Sequence, residues 1–292
     1  MTYDHQTSVS SMQNRSSPNG HQDVRTAPHI DVLTLETLLS MIQGKVTLPG
    51  DLSYEEERSV WNSLFDGHPA VIVHCLNIGD VKAAITFARK QGLPLSVRSA
   101  GHSIGGYGTN DHGLVLDLSC MKGLRFDPIL CTARIESSLT WGEVSHALQP
   151  YGLVLTSGDT ATVGVGGLLL GGGIGWMVRK YGLAIDQVRA IELVTADGQL
   201  LRASAQENAE LFWGLRGGGG NFGVVTAFEV ALHPGGTVLG GMMCLRQLRP
   251  SIPSQNMPVF TWMHRMSCRQ KPCWCLRHRL PLFPPTCRES QC

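Results

Sequence analysis

Residues 98–103, RSAGHS, directly follow a short apolar run at residues 95–97 whose composition is typical of a β-strand. Small residues in such a turn leave backbone N–H groups open, which is the arrangement that holds a pyrophosphate. Two further glycine-rich stretches follow, at residues 158–175 and 216–223. Because glycine lets the main chain approach a ligand or another element closely, the three stretches together indicate a backbone packed around a ligand.

The composition excludes several classes of partner. The 292 residues carry a formal net charge of +1, which gives no general attraction to nucleic acid or to an acidic membrane. No apolar run is long enough to predict a transmembrane helix, and the N-terminal segment lacks the apolar stretch of a signal peptide. We therefore expect a cytoplasmic protein without a nucleic-acid or membrane partner. Its cysteines Cys75, Cys120 and Cys131 are expected to be buried thiols rather than disulfides.

Helices and strands alternate between residues 70 and 232, and several strands follow each other directly. The pattern predicts a helix capped by Asp80 that ends at Gln91, before Gly92. Asp197-Gly198 predicts a hairpin turn. Further strands are expected at residues 70–75, 95–97, 114–118, 188–195, 199–203 and 224–232, and a second helix at 207–215. This order favours an α+β arrangement over a doubly wound parallel sheet.

Two common nucleotide-binding motifs can be excluded, the first by its position and the second because its spacing does not occur. Gly218, Gly220 and Gly223 match G-x-G-x-x-G in letters, but they precede a predicted strand instead of following one and opening a helix. No acidic residue lies at the downstream distance that would hold a ribose. The spacing of a P-loop, G-x-x-x-x-G-K-[ST], is also absent from the sequence.

The stretch from about residue 69 to residue 233 closely resembles the FAD-binding domain of the vanillyl-alcohol-oxidase superfamily (PCMH type), in particular the berberine-bridge-enzyme-like oxidases. The resemblance rests on five segments in family order. They are RSAGHS at 98–103, GLVLDLS at 113–119, the stretch 163–176 with RKYG at 179–182, VTADG at 194–198, and LFWGLRGGGGNFGVVT at 211–226. It implies a fold of two α/β subdomains and an FAD cofactor.

The resemblance also implies a covalent attachment. In this family the histidine of the first segment bonds to the methyl carbon at position 8 of the flavin ring, and here that residue is His102. Arg98, Ser99, Ala100, Gly101 and Ser103 complete the segment, with Ala100 where the family usually has glycine. A neutral imidazole nitrogen is a good nucleophile near neutral pH, which suits this chemistry.

The second glycine stretch implies further cofactor contacts but no second covalent bond. Many relatives carry a cysteine tether in a G-x-C-x-x-V-G segment, whereas this chain has Thr160 at that position. A hydroxyl cannot replace a thiolate there, so a single histidyl linkage is expected. The resemblance implies that Thr160 at most contacts the cofactor. The other expected cofactor-binding residues are Val163, Gly164, Gly166, Gly167 and Val225, the glycines by offering N–H groups to the phosphates at a helix start.

Some residues stay without an assigned role. Packing and ligand contact are equally compatible with Gly171, Gly172 and Gly173. The histidines that lack motif support are His74, His112, His146 and His233, and the tryptophans expected in the core are Trp141, Trp176 and Trp213.

Family chemistry would be hydride transfer from a substrate carbon to the flavin, with O2 as the acceptor that reoxidises it. The substrate is usually an alcohol, a sugar, an alkaloid or another secondary metabolite. The implied function is therefore an FAD-linked oxidase. The sequence identifies no catalytic base.

The expected organisation has four parts. Residues 1–30 are polar and expected to be disordered, residues 31–66 form an N-terminal helical segment, and residues 67–237 form the FAD-binding domain. Residues 238–292 are an irregular tail rich in Cys, Pro and Arg. The substrate domain that relatives carry after this point is not recognisable, so the alternative is a truncated, non-catalytic remnant that binds flavin.

The tail holds five of the nine cysteines. From Leu245 to the end it has eight Lys or Arg residues and a single acid, Glu289, a composition that resembles an out-of-frame segment more than a folded domain. A zinc site is the sharper alternative, although the spacing fits no paired C-x-x-C pattern. Its ligands would come from Cys268, Cys273, Cys275, His278 and Cys287.

Overall fold

The computed structural model describes residues 32–236, and the first of its sheets has four strands in the order β1–β2–β4–β3. The strands are β1 (Lys45–Thr47), β2 (Val71–His74), β3 (Leu95–Arg98) and β4 (Leu114–Asp117). Strand β4 runs parallel to both β2 and β3, and β1 closes one edge antiparallel to β2. The parallel centre explains why β2 and β4 are almost continuously apolar, since both of their faces are covered.

Helix α3 (Ile78–Gln91) packs on this sheet and corrects one sequence prediction. Its N-cap is Asn77, whose side chain accepts a hydrogen bond from the N–H of Asp80, so Asp80 is not the cap. Asp80 is buried and instead accepts hydrogen bonds from the N–H groups of Gln43, Gly44 and Leu76. The helix ends as predicted before Gly92, which is left-handed with φ 63°.

The segment predicted to be helical at residues 31–66 also contributes a strand. Helix α1 (Val32–Met41) places Leu35 and Leu38 in the core of the first sheet, and β1 extends that sheet. A short helix α2 (Tyr54–Arg58) follows. The segment is therefore part of the same packed body and not a separate helical element.

The second sheet has five strands, all antiparallel, in the order β5–β6–β10–β8–β9. Strands β5 and β6 were not predicted. The hairpin between β8 and β9 was predicted, and its turn passes through Gly198 at φ 84°. The strands are β5 (Leu124–Asp127), β6 (Thr132–Glu136), β8 (Val188–Val194), β9 (Leu200–Ser204) and β10 (Val224–Ala231).

Four short helices accompany the second sheet. They are α4 (Trp141–Leu148), α5 (Val165–Leu170), α6 (Val178–Tyr181) and α7 (Ala209–Leu215). Strands β7 (Leu153–Val154) and β11 (His233–Pro234) form a small separate pair. Trp141 lies in the core as predicted, but that expectation is wrong for Trp176 and Trp213, which are 52% and 78% exposed.

The two sheets share a boundary and together give the predicted α+β arrangement of two subdomains. Val194 and Val224, at one end of the second sheet, pack into the core of the first. The substrate-domain expectation concerns the tail, which lies outside the described residues.

Candidate functional site

The turn at residues 99–103 follows β3 immediately. The carbonyl of Arg98, the last residue of β3, accepts a hydrogen bond of 2.8 Å from the N–H of Leu118, which anchors the start of the turn. Gly101 has φ 72°, a left-handed conformation that favours glycine. Between residues 32 and 236, no hydrogen-bond acceptor is found for the N–H groups of Ala100, Gly101, His102 and Ser103. The turn thus presents a set of unpaired donors suited to an anionic ligand.

His102 lies in this turn, partly exposed, with its ring stacked on Trp61. The ring centroids are 5.3 Å apart and the planes are inclined by 23°. The hydroxyl of Ser103 accepts the N–H of Tyr107, and its carbonyl accepts the N–H of Gly106, so Ser103 stabilises the loop that leaves the turn. No role was predicted for Trp61 from the sequence, because this residue lies outside every recognised motif.

The second glycine stretch packs directly against this turn. A Cβ atom on Gly164 would lie 2.5 Å from the Ser99 hydroxyl and 2.9 Å from the Ala100 Cβ, so only glycine fits there without a shift. Ala100, which replaces the usual glycine, is therefore accommodated against the glycine of the other segment. The contact brings two of the three sequence motifs together.

The three predicted phosphate-binding glycines differ in what their N–H groups can do. The N–H of Gly166 donates a 2.9 Å hydrogen bond to the carbonyl of Ser137, so the prediction that it is offered to a phosphate is wrong. Gly167 is exposed, lies in the first turn of α5, and has open space where a side chain would stand. Among residues 32–236 no acceptor is found for the N–H groups of Gly164 and Gly167, and of these two glycines Gly164 is buried and Gly167 is exposed.

Ser137 was not predicted from the sequence, and it links the turn of residues 99–103 to the second glycine stretch and to the segment 211–226. Its carbonyl accepts the Ser99 hydroxyl at 2.6 Å as well as the N–H of Gly166. Its own hydroxyl donates at 2.6 Å to the carbonyl of Val225, and its N–H donates to the carbonyl of Thr226. No local pattern marks this serine, because its partners lie far away in the sequence.

The remaining predicted residues lie at different depths. Val225 is buried in the core of the second sheet, which leaves its side chain little surface for a ligand, and its carbonyl is occupied by Ser137. Val163 packs partly against the same core, and its carbonyl accepts the N–H of Trp141. Thr160 is exposed, and its hydroxyl donates to Asp159 at 3.1 Å. Because residue 160 is a threonine, this position carries a hydroxyl and no thiol.

The ambiguous glycines of the second stretch differ in their packing. A Cβ on Gly173 would lie 2.4 Å from a Leu168 methyl carbon and 2.6 Å from the Ala184 Cβ, whereas one on Gly172 would meet nothing within 4 Å. In the third stretch, a Cβ on Gly223 would lie 2.5 Å from the carbonyl oxygen of Val194, whereas one on Gly219 would meet nothing within 4 Å. Close packing therefore explains Gly173 and Gly223 but not every glycine of the two stretches.

Below the turn, three ionisable residues end the parallel strands side by side. His74, Arg98 and Asp117 are the last residues of β2, β3 and β4 and are in register. Arg98 donates from Nε to Asp117 Oδ2 at 2.8 Å, and its Nη2 lies 2.6 Å from the same oxygen. Because Arg98 is buried and paired in this way, it supports the turn from beneath rather than offering a charge at its surface.

The charged network continues from His74 towards the surface. His74 Nε2 lies 2.9 Å from Glu57 Oε2, and its Nδ1 lies 3.7 Å from Asp117 Oδ2. Burial tends to raise the pKa of Glu57, but hydrogen bonds from Lys45, Thr47, His74 and Ser53 outweigh it and lower that pKa to about 2. Glu57 is therefore held as a carboxylate. His74, which had no motif support, lies between two carboxyl groups.

Three further expectations concerned the cysteine thiols, a metal site and a membrane-spanning helix. Cys75, Cys120 and Cys131 are free thiols, but only Cys75 is buried, and burial raises the pKa of its thiol. Within residues 32–236 no cluster of His, Cys, Asp and Glu could hold a metal ion, and the proposed zinc ligands lie outside this range. No helix in the same range is long and apolar enough to cross a membrane.

A turn of free N–H groups after a parallel strand, braced by a glycine segment, suits the phosphate groups of a nucleotide cofactor. Residues 69–204 match a family described as an FAD binding domain. The segment 69–204 is thus a member of this domain family, and the relatives that the chain matches are FAD-linked oxidoreductases, as the sequence resemblance implied.

Relatives of known name support this membership. (R)-6-hydroxynicotine oxidase of Paenarthrobacter nicotinovorans is 42% identical over 199 residues, which are 68% of this chain and 43% of that protein. The structure of a berberine-bridge-enzyme-like protein from Physcomitrella patens is 30% identical with a TM-score of 0.65, covering 68% of this chain and 44% of that one. The carbohydrate oxidase of Microdochium nivale, solved with a substrate analogue, is 31% identical with a TM-score of 0.65, covering 69% and 43%.

The chain thus spans less than half the length of the relatives it matches. The matched part is the FAD-binding part of the fold.

Proposed function

We propose that this chain binds FAD at the turn of residues 99–103 and holds it through one covalent bond to His102. The observation that carries the proposal is the set of N–H groups at Ala100, Gly101, His102 and Ser103 that find no acceptor among residues 32–236. Unpaired backbone donors beside a nucleophilic imidazole fit a diphosphate-bearing cofactor with a reactive ring.

The chain's own residues would divide the work of binding. The turn N–H groups and the exposed N–H of Gly167 would hold the diphosphate, and Gly164 would let the second segment close on the turn. Ser137, through Ser99 and Gly166, keeps the two segments at a fixed separation. The buried Arg98–Asp117 pair sets the position at which the turn leaves the sheet.

Bound FAD would supply a two-electron acceptor for a hydride from the substrate, with O2 as the final acceptor and hydrogen peroxide as the product. In forming the linkage, the imidazole gives up its N–H proton and the flavin C8 methyl group gives up one hydrogen. A nitrogen–carbon bond replaces both, and the two hydrogens with their electrons reduce O2 to hydrogen peroxide. Thr160 provides no thiol, so a second bond of this kind is not expected.

The proposed substrate is a small organic metabolite in secondary metabolism. Named relatives include a hydroxynicotine oxidase and a carbohydrate oxidase, which act on chemically different small molecules. The FAD domain therefore does not define the substrate. The second candidate function is flavin binding without turnover. It is kept because His102 is the one described residue of the turn that could act as a general base, and the proposed linkage would occupy it.

The decisive experiment is denaturation of the purified full chain followed by in-gel flavin fluorescence. We expect a fluorescent band in the wild type and none in His102→Ala, because the alanine has no nucleophile. The matched control is His146→Ala, an exposed histidine of α4 outside the turn, which should stay fluorescent. A colourless wild-type chain after incubation with FAD in air would refute the linkage.

A second measurement separates the two candidate functions. Peroxide release is followed while the fluorescent chain is offered alcohols, sugars and cyclic amines. Peroxide formation with any of them supports the oxidase, whereas a tethered flavin that yields no peroxide supports binding without turnover.

A further inference from the structure

The loop that carries His102 is held from outside by three residues of the segment that follows α2. The backbone N–H of Trp61 donates to the carbonyl of Gly101 at 3.1 Å, and the side chain of Asn62 donates to the carbonyl of Ile104 at 2.9 Å. The ring of Phe65 covers Gly106, where a Cβ would lie 2.3 Å from the ring carbons. We call Trp61, Asn62 and Phe65 the outer clamp.

The contact of Trp61 is the one that reaches the reactive side chain. Its indole lies over the imidazole of His102 with a centroid separation of 5.3 Å and an interplanar angle of 23°. No hydrogen bond to either ring nitrogen of His102 is found among residues 32–236. In the described part of the chain, the stack on Trp61 is thus the ring contact that orients the imidazole of His102.

The clamp lies outside the stretch that matches the FAD binding domain, which begins at residue 69. Trp61 is itself 66% exposed, so its burial contributes little to folding, and its large ring is not explained by the core. Core packing therefore does not explain why this exposed tryptophan stacks on His102. Its role is expected to concern the site itself.

We infer that Trp61 is a positioning residue that orients the imidazole of His102 for bond formation with the flavin. The inference rests on the proposed function. Bond formation needs a ring nitrogen to approach the C8 methyl carbon along one direction, and an imidazole free to rotate about its side-chain bonds spends little time there. The stacked indole removes that rotation, while the hydrogen bond from Trp61 to Gly101 fixes the backbone below it.

The test measures the rate of linkage and not the activity of the loaded protein. Full chain produced under riboflavin starvation is mixed with FAD in air, and covalent flavin is followed by in-gel fluorescence over time. We expect Trp61→Ala to slow the linkage by about tenfold or more, since small misplacements of reacting groups have effects of this size. Trp61→Phe keeps a flat ring and should restore most of the rate.

Leu64→Ala is the matched control. Leu64 lies in the same segment and is 87% exposed, but it is not part of the outer clamp. Its linkage rate should equal that of the wild type. Circular dichroism and the tightness of initial, non-covalent FAD binding should be the same in all four chains, which separates positioning from loss of fold.

The outcomes are distinct. Linkage at the wild-type rate in Trp61→Ala, an equally slow Trp61→Phe, or an equally slow Leu64→Ala would each overturn the role of the stack. A wild-type chain that never becomes fluorescent would instead remove the proposed function, and the inference with it.

A flavin-free readout tests the geometry by itself. In the NMR spectrum of the flavin-free chain, the ring protons of His102 should be shifted upfield by the indole ring current, and the shift should vanish in Trp61→Ala. Identical His102 ring shifts in the two chains would contradict the stacked arrangement.

Discussion

One ion pair in each sheet shows a contrast in how deeply charge is buried. In the parallel sheet, Arg98 and Asp117 form an ion pair with side chains only 7% and 5% exposed, and His74 lies beside them. In the antiparallel sheet, the pair of Arg202 and Glu229 is on the outer face with exposures of 42% and 38%. The first pair supports the turn that carries His102, whereas Arg202 of the second pair also lies 3.4 Å from Glu207, in the loop before α7. Charge is thus buried where it holds the site and exposed where it keeps a sheet surface hydrated.

The largest difference between the sheets is expected in the loss of stability when one ion pair in each of them is removed. Asp117→Asn leaves the buried Arg98 charge unpaired and should lower the free energy of unfolding by about 3–5 kcal/mol. Glu229→Gln, in the exposed pair, should lower it by at most about 1 kcal/mol. Urea denaturation of the flavin-free chains gives both values. Equal losses in the two variants would show that burial does not distinguish the pairs.

A second, smaller difference is expected between Gly166 and Gly167, two adjacent glycines of α5. A Cβ on Gly166 would lie 3.0 Å from the Cβ of Ser137 and 3.1 Å from its carbonyl oxygen. Ser137 cannot move away easily, because four hydrogen bonds fix it. Gly166→Ala should therefore cost about 1–3 kcal/mol, as overpacking usually does.

Gly167→Ala is the natural control for that variant. The new methyl group meets nothing within 4 Å, and alanine is the better helix former, so its stability should equal or exceed that of the wild type by up to about 1 kcal/mol. Thermal midpoints of the flavin-free chains decide the matter. A Gly166→Ala midpoint as high as that of Gly167→Ala would argue against the close contact with Ser137.

The smallest effect concerns the surface end of the buried network. The pKa of Glu57 is lowered from 4.5 to about 2, so the folded state favours the carboxylate. Its stabilisation is present above pH 4.5 and is lost as the pH falls towards about 2. Glu57→Gln should therefore lower the free energy of unfolding by on the order of 1 kcal/mol at neutral pH. The accompanying drop in thermal midpoint relative to the wild type should shrink over that pH range.

A midpoint difference for Glu57→Gln that stays constant from neutral pH to pH 2 would contradict the ionised state of Glu57.

Much of the fold was predictable because its signals are local. The strand at β4 follows from an apolar run, and the end of α3 from a glycine that adopts the left-handed conformation. The turn with His102 and its glycine partners follows from motifs whose residue types have a direct physical role. The prediction that Asp80 caps the helix was wrong because its buried carboxylate accepts hydrogen bonds from the N–H groups of Gln43, Gly44 and Leu76.

What escaped prediction depends on contacts between distant parts of the chain. Ser137 and Trp61 belong to no motif, and their roles appear only when strands and loops are assembled. The occupied N–H of Gly166 could not be inferred either, since sequence alone does not tell which carbonyl lies opposite. The exposed Trp213 shows the reverse error, because an aromatic residue on a short helix need not face the core.

Ser137 has a consequence for the order of events as the chain folds. It is separated by 38 residues from Ser99 and by 88 residues from Val225, so its hydrogen bonds are non-local and each requires closure of a long loop. Contacts of this kind form late in folding. The cradle for the flavin is therefore expected to be complete only after β10 has joined the second sheet, which makes cofactor capture a step that follows folding rather than one that guides it.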